Sequence, residues 1–342
     1  MTLLTVTQLL VAVLEEEKVL YINTYVCTIA CTCCLLSVPK FLSLLVTYLQ
    51  KLKTFDAMAM LSGGGVTELL AAAILLLVFL YHVSNVFRYY FKFTAFIIAS
   101  LGAATTFIPI MLLRPRSYKN ALLPAWCERQ FSKLLGIKFE MRGHENIVQD
   151  SGCVVLINHQ SALDILVLAE IWPVMERCTV ISKKEVFYLW PFGLACWLWG
   201  TIFIDRLNVE KAQNTINSTG DTIRKNKARL CMFPEGTRNG SATLLPFKKG
   251  AFHVAIASQT PIQPIVVSRY HFLDDRKKLF NPGYSIINIL PPIPTAGLTK
   301  SDLDMLMEKT RSVMSEAYTK TTEQALAHSA VSTPVANGKK CN

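Results

Sequence analysis

Three long stretches of this 342-residue chain carry no Asp, Glu, Lys or Arg: Val19–Pro39, Leu69–Phe87 and Phe93–Leu113. A helix needs about 20 apolar residues to cross the hydrocarbon core of a bilayer, so each stretch is long enough to span one. The alternative is three buried core helices. Composition favours the membrane reading: 51% of the residues are hydrophobic and 17% charged, against about 25% charged in an ordinary soluble domain. A cleaved signal peptide fits poorly, because no basic segment opens the chain and Glu15, Glu16 and Glu17 precede the first stretch.

Flanking charge sets an expected orientation. Lys40, Lys51 and Lys53 follow the first stretch, and Arg114, Arg116 and Lys119 follow the third. Positive residues stay on the cytosolic side, so three passes would leave everything after Arg114 in the cytosol. A one-leaflet hairpin is the second topology, with Arg88–Lys92 (RYYFK) at the interface. It places the rest of the chain on the same face. The net charge of +11 suits an anionic partner. No RNA- or DNA-binding motif occurs, so nucleic acid is not expected and membrane headgroups are. The apolar stretches hold no Asp, Glu, Lys or Arg and almost no polar pathway residues, which argues against a pore or transporter.

The ten cysteines do not form a framework. Cys27, Cys31, Cys33 and Cys34 crowd one apolar stretch and the others lie singly. No paired CxxC or spaced histidines imply zinc, so reduced thiols and no metal are expected.

After residue 120 the pattern changes. Short β-rich runs appear at 153–158, 177–182, 200–205, 229–234, 264–270 and 284–290. Helical stretches separate them: ALDILVLAE, a polar helix over Val209–Asn226, and GAFHVAIAS. Near-continuous apolar strands alternating with helices predict an α/β domain with a mostly parallel central sheet flanked by helices. The expected division is a membrane-anchoring helical region 1–120, a catalytic domain 121–326 and a disordered polar tail 327–342. Ser301 and Asp304 read as a capping box opening the last helix.

Chemistry concentrates at strand ends. Asn158-His159-Gln160-Ser161-Ala162-Leu163-Asp164 sits where a strand ends and a helix begins, the place where open α/β sheets bind ligands. A helix amino terminus favours neutral imidazole, and Asp164 can reach back to orient the ring and stabilise imidazolium. Alternatively, these residues are a helix cap and a surface ion pair. Gly200–Arg206 (GTIFIDR) delivers Arg206, whose planar fork suits phosphate or pairs with Asp205. Phe233–Arg238 (FPEGTR) runs from a strand into a turn carrying Glu235, Gly236, Thr237 and Arg238; an ordinary solvated turn is the bland alternative. Lys183 and Lys248 add cations at further strand ends. No GxSxG elbow, Walker loop or paired-glycine dinucleotide signature is present.

NHQSALD, GTIFIDR, FPEGTR and TPIQPIVV (260–267) resemble, in order and spacing, the four motif blocks of the 1-acylglycerol-3-phosphate acyltransferase family. GLACWLWGTIFIDR, LPFKKGAFHVA and LPPIPTAGLT look like its eukaryotic endoplasmic-reticulum branch. The resemblance covers roughly Gly136–Ala317. It implies a glycerolipid acyltransferase fold and acyl transfer from acyl-CoA to the sn-2 hydroxyl of lysophosphatidate, giving phosphatidate and CoA. It implies His159 as general base with Asp164 beside it. Arg206, Glu235, Gly236, Thr237 and Arg238 match the acceptor-binding motifs, and Lys183 and Lys248 are further phosphate-binding candidates. Acyl-CoA is then a co-substrate and no cofactor is expected. Backbone amides at the strand–helix turn are candidate oxyanion donors. Another acceptor, such as glycerol 3-phosphate or a different lysophospholipid, or an inactive membrane scaffold, are the competing readings. Lys339-Lys340-Cys341-Asn342 resembles a dilysine signal of endoplasmic-reticulum membrane proteins, read from the cytosol.

Overall fold

The structure, a computed structural model, describes residues 64–204, 220 and 223–332. The stretch Val19–Pro39, the cysteines within it, Asp205 and Arg206, most of the expected helix Val209–Asn226, and the dilysine end lie outside the described residues.

Contacts divide the described chain into two compact units, with the boundary inside a helix between Phe91 and Lys92 rather than near residue 120. The first unit holds helix α1 (Gly64–Val83), the start of α2 (Asn85–Thr106) and Arg276–Leu279. α1 is apolar on all sides and exposes Leu69, Leu70, Leu76 and Leu77, a surface that water does not favour. Among the described residues no single helix is long and apolar enough to cross a membrane; Leu69–Val83 and Asn85–Thr106 pass together, bent by 111°. The bend is chemically closed at Ser84. Its Oγ accepts the amide of Phe87, while the Arg88 guanidinium donates to the Tyr81 and His82 carbonyls at 2.9 Å each. These bonds satisfy orphan groups at both helix ends. The uncharged stretch is therefore interrupted before Phe87. Arg88–Lys92 is helical, and Lys92 is buried with Nζ donating to the Phe280 carbonyl.

The second unit carries a seven-stranded sheet. In chain order its elements are α3 (Leu122–Leu134), β1 (Ile137–Arg142), β2 (Cys153–Ile157), α4 (Asp164–Met175), β3 (Cys178–Lys183), α5 (Phe192–Leu198) and β4 (Ile202–Ile204). There follow β5 (Arg229–Met232), α6 (Gly250–Ser258), β6 (Ile262–Val267), β7 (Gly283–Ile289) and α7 (Leu303–Ser332). The strand order is β1-β7-β6-β2-β5-β3-β4. β6, β2, β5, β3 and β4 run parallel, whereas β7 is antiparallel to β6 and parallel to β1. All five residues of β2 are buried, as a central strand covered on both faces requires. β6 carries Pro264, which has no amide hydrogen to donate: Leu290 donates to the Pro264 carbonyl, and the Leu290 carbonyl accepts Gln263 Nε2 at 2.6 Å.

One face is sealed by α6 and α7. Leu303, Leu306, Thr310, Met314, Tyr318, Thr321 and Ala325 of α7 are buried at helical spacing. Leu306, Met314 and Tyr318 join Val154, Leu230, Phe252 and Val266 in one core cluster. The cap of this segment differs from the expected one. Thr299 and Asp302 form the capping box, closing a short 3-10 turn before α7. The helix continues to Ser332, so 327–332 are ordered. The described cysteines Cys127, Cys153, Cys178, Cys196 and Cys231 are free thiols. Burial pushes Cys153 and Cys196 up to about 12, which keeps them unreactive.

Candidate active site

Because five strands run parallel, the segments that follow β2, β5 and β6, and the end of β3, meet at one edge. Asn158, directly after β2, continues the ladder with its side chain. Its Oδ1 accepts the Val267 amide at 2.7 Å and its Nδ2 donates to the Val267 carbonyl at 3.1 Å. Gln160 does the same one step on. Its Nε2 donates to the carbonyls of Val267 and Ser268, and its Oε1 accepts the Tyr270 amide. Two buried amide side chains thus fasten the turn to β6, and His159 stands between them.

The His159 ring stacks on Phe233 at 4.0 Å between centroids, with 21° between planes. Its Nδ1 lies 2.6 Å from Asp164 Oδ2. A carboxylate only accepts, so Nδ1 carries the proton and Nε2 keeps its lone pair. Asp164, the first residue of α4, is only 3% exposed. Its Oδ2 also accepts the amides of Gln160 at 2.7 Å and Ser161 at 3.1 Å, and its Oδ1 accepts the Tyr270 hydroxyl at 2.8 Å. A buried carboxylate with four donors is held in one position.

Tyr270 was not among the residues singled out from sequence. Burial first, then the neighbouring Asp164 charge, pushes its hydroxyl well above the usual tyrosine range, so it remains a donor at every working pH. Tyr270→Phe removes one charge-assisted bond from Asp164, a loss of about 1.5–3 kcal/mol, or roughly 10–100-fold. The expected result is that loss in kcat with the acceptor KM near its wild-type value in steady-state assays. A variant with wild-type kcat shows that the hydroxyl does not position the pair.

Glu235 corrects an expectation. Read as substrate-binding, it is 1% exposed and turned inward. Oε1 accepts the His159 amide at 2.9 Å and Oε2 the Leu245 amide at 3.0 Å. Burial raises its pKa, and these amides counter the rise. Its place is structural: it ties the His159 turn to the segment before α6. The same bonds revise the oxyanion expectation, since the amides of His159, Gln160 and Ser161 are committed to the carboxylates of Glu235 and Asp164.

Gly236, Thr237 and Arg238 do face solvent. Gly236 has φ +70, and a Cβ there would stand 3.2 Å from Lys248 Cγ, so the turn needs glycine and the exposed Lys248 chain lies beside it. The Asn239 amide donates to the His159 carbonyl at 2.8 Å, and the Lys248 amide to the Pro234 carbonyl at 2.7 Å, docking this loop against the His159 turn. Lys183 is exposed at the end of β3, on the same edge of the sheet. Arg206 lies outside the described residues, two positions beyond the end of β4. Among the described residues no cluster of His, Cys, Asp and Glu fits a metal ion.

A family model described as Acyltransferase matches residues 138–268, which hold the His159–Asp164 pair and the Gly236–Arg238 loop. The human protein named 1-acyl-sn-glycerol-3-phosphate acyltransferase beta is 35% identical over 252 residues, covering 73% of this chain and 90% of that protein. This chain belongs to the 1-acyl-sn-glycerol-3-phosphate acyltransferase family. The human alpha relative is 38% identical over 66% of this chain and 80% of its own. A Saccharomyces cerevisiae family member is 37% identical over 67% and 77%. The crystal structure of the LPA acyltransferase PlsC from Thermotoga maritima superposes with a TM-score of 0.51 at 20% identity, covering 68% of this chain and 97% of that one. That likeness shows the shared fold: a mixed α/β domain whose central sheet is mostly parallel.

Proposed function

We propose that the chain transfers an acyl group from acyl-CoA to the sn-2 hydroxyl of lysophosphatidate, giving phosphatidate and CoA. The observation that carries this reading is the His159–Asp164 pair, 2.6 Å apart at the sheet edge where the Gly236–Arg238 loop docks. The names of the relatives supply the acceptor. His159 Nε2 takes the hydroxyl proton as the oxygen attacks the thioester carbonyl. Asp164 stabilises the imidazolium. The tetrahedral intermediate then expels the thiolate as the carbon–sulfur bond breaks, and His159 returns the proton to sulfur. Arg206 and Arg238 hold the glycerol phosphate, with Lys183 and Lys248 as further cations. The test is mass-spectrometric detection of phosphatidate from lysophosphatidate and oleoyl-CoA with the purified full chain. Glycerol 3-phosphate and lysophosphatidylcholine serve as rival acceptors. Faster turnover of either rival overturns the acceptor assignment.

Arg206→Ala and Arg238→Ala each remove a charge-assisted contact, about 1.5–3 kcal/mol. The acceptor KM rises roughly 10–100-fold in each, with a smaller change for acyl-CoA. A selective loss of acyl-CoA affinity instead moves these arginines to the CoA phosphates.

We place the enzyme on the endoplasmic-reticulum membrane with this site in the cytosol, where acyl-CoA is accessible. The support is the Arg114, Arg116 and Lys119 cluster and the Lys339-Lys340 pair. Protease added to sealed microsomes is expected to digest an epitope tag inserted before Lys339. Protection of the tag while lumenal controls stay intact reverses the orientation.

A further inference from the structure

The opposite edge of the sheet, where β3 and β5 begin, holds a second pocket of about 670 Å³. Arg116, Tyr118, Arg177, Thr179, Trp199 and Asn226 are among its lining residues, and among the described lining residues there is no carboxylate. The two edges are one strand length apart, about 15–20 Å for five or six residues, so this pocket is separate from the His159 site.

Its basic residues share an uncommon backbone. Arg116 has φ +62 and Arg177 φ +42. Lys227, between the lining residues Asn226 and Ala228, has φ +50. Three of the six described non-glycine residues with positive φ are therefore cations around one opening. Side chains with a Cβ adopt this region at a cost, and such residues persist where the surroundings or a function hold them. Two neutral donors of the walls are already used. The Thr179 hydroxyl donates to the Gly200 carbonyl, and the Trp199 indole to the Thr201 hydroxyl, each at 2.8 Å. Arg116 is steadied by the Trp197 ring, 5.7 Å from its guanidinium carbon. What the pocket offers a ligand is paired guanidinium forks beside aromatic faces.

We propose that this pocket binds a phosphate monoester. The planar forks match phosphate oxygens, and among the described lining residues no carboxylate stands against them. A lipid headgroup is the favoured source. Arg116 follows Leu112 and Leu113, 55% and 80% exposed, so an apolar surface suited to acyl chains leads directly to the rim. The same chemistry is carried by free phosphate and by the 3′-phosphorylated adenosine end of CoA.

The test is calorimetric titration of the full chain in detergent, in an Arg206→Ala/Arg238→Ala background that silences the proposed acceptor site. The probes are dihexanoyl phosphatidate, inorganic phosphate and adenosine 3′,5′-bisphosphate. At least one probe is expected to bind. Adding Arg116→Gly and Arg177→Gly should weaken it about tenfold or more, as loss of charge-assisted contacts implies. Glycine takes these φ values freely, so the added changes relieve strain while removing the forks. Preference for the phosphatidate identifies a lipid site; equal or better binding of a soluble probe identifies a free-phosphate or CoA site. No binding by any probe, or equal binding after the glycine changes, overturns the proposal. In the wild-type chain, the same ligand should slow phenylglyoxal modification of Arg116 and Arg177, read by mass spectrometry. Unchanged rates at both arginines overturn the proposal independently of any variant.

Discussion

His159→Ala abolishes acyl transfer, by on the order of 10²–10⁴-fold or more, while the protein stays folded. The separation of chemistry from folding follows from how the turn is built. The clamps that fix this turn belong to other groups: the Asn158 and Gln160 side chains on β6, and the His159 backbone amide and carbonyl, which bond Glu235 and Asn239. The imidazole adds its Asp164 bond and its stack on Phe233. Alanine therefore keeps the backbone bonds and removes only the proton acceptor. Single-turnover assays with saturating acyl-CoA check it. Activity within about threefold of wild type contradicts a base that should supply at least 10²-fold.

Asp164→Asn gives the second large loss, on the order of 10³–10⁴-fold in kcat by analogy with other His–carboxylate pairs. The hydrogen bonds show why this variant should still fold. An asparagine oxygen in place of Oδ2 accepts from His159, Gln160 and Ser161, and its amide then donates to the Tyr270 oxygen. The His159, Gln160 and Ser161 donors stay satisfied, and only the Tyr270 hydroxyl proton loses its acceptor. What is lost is the negative charge that stabilises imidazolium when His159 holds the substrate proton. The expected pattern is a melting temperature within a few degrees of wild type, as for a change of roughly 1 kcal/mol, beside a collapse in kcat. A melting temperature far below that range assigns Asp164 mainly to folding. Full activity with normal folding excludes any role for its charge.

Parts of this site were legible in the sequence for definite reasons. CVVLIN (153–158) and PIVVSRY (264–270) read as strands, overlapping the observed Cys153–Ile157 and Ile262–Val267, because central parallel strands are apolar on both faces. The His159–Asp164 pair was readable because it is local: five residues bridge a strand end and a helix start. Tyr270 was hidden by distance, since it reaches Asp164 from the end of β6, 106 residues later. Glu235 was misread because an acid beside a glycine turn looks solvated, and only the fold shows it turned inward on two amides. β1 (IKFEMR) went unseen because an edge strand is paired on one side and carries polar residues. The last cap slipped by two residues because Thr299–Asp302 and Ser301–Asp304 are overlapping frames of one pattern. The interruption at Ser84 fell inside an uncharged stretch, where hydropathy has no means of marking a serine–arginine closure.

The pairing of β1 with β7 has a consequence in time. β1 is the first strand of the sheet to leave the ribosome and β7 the last, and within the sheet β1 pairs only with β7. Until Ile289 is made, β1 has no ladder partner, and β6 lacks its neighbour on that side. Throughout synthesis of the intervening residues, at about 5–20 residues per second, two open edges wait unpaired. Tyr318 of α7, whose hydroxyl donates to the Ser241 carbonyl just past the Gly236–Arg238 loop, emerges later still. The nascent enzyme thus completes its cover only when nearly the whole chain has been translated, and a stall or truncation before α7 leaves an exposed sheet for a chaperone or protease to find.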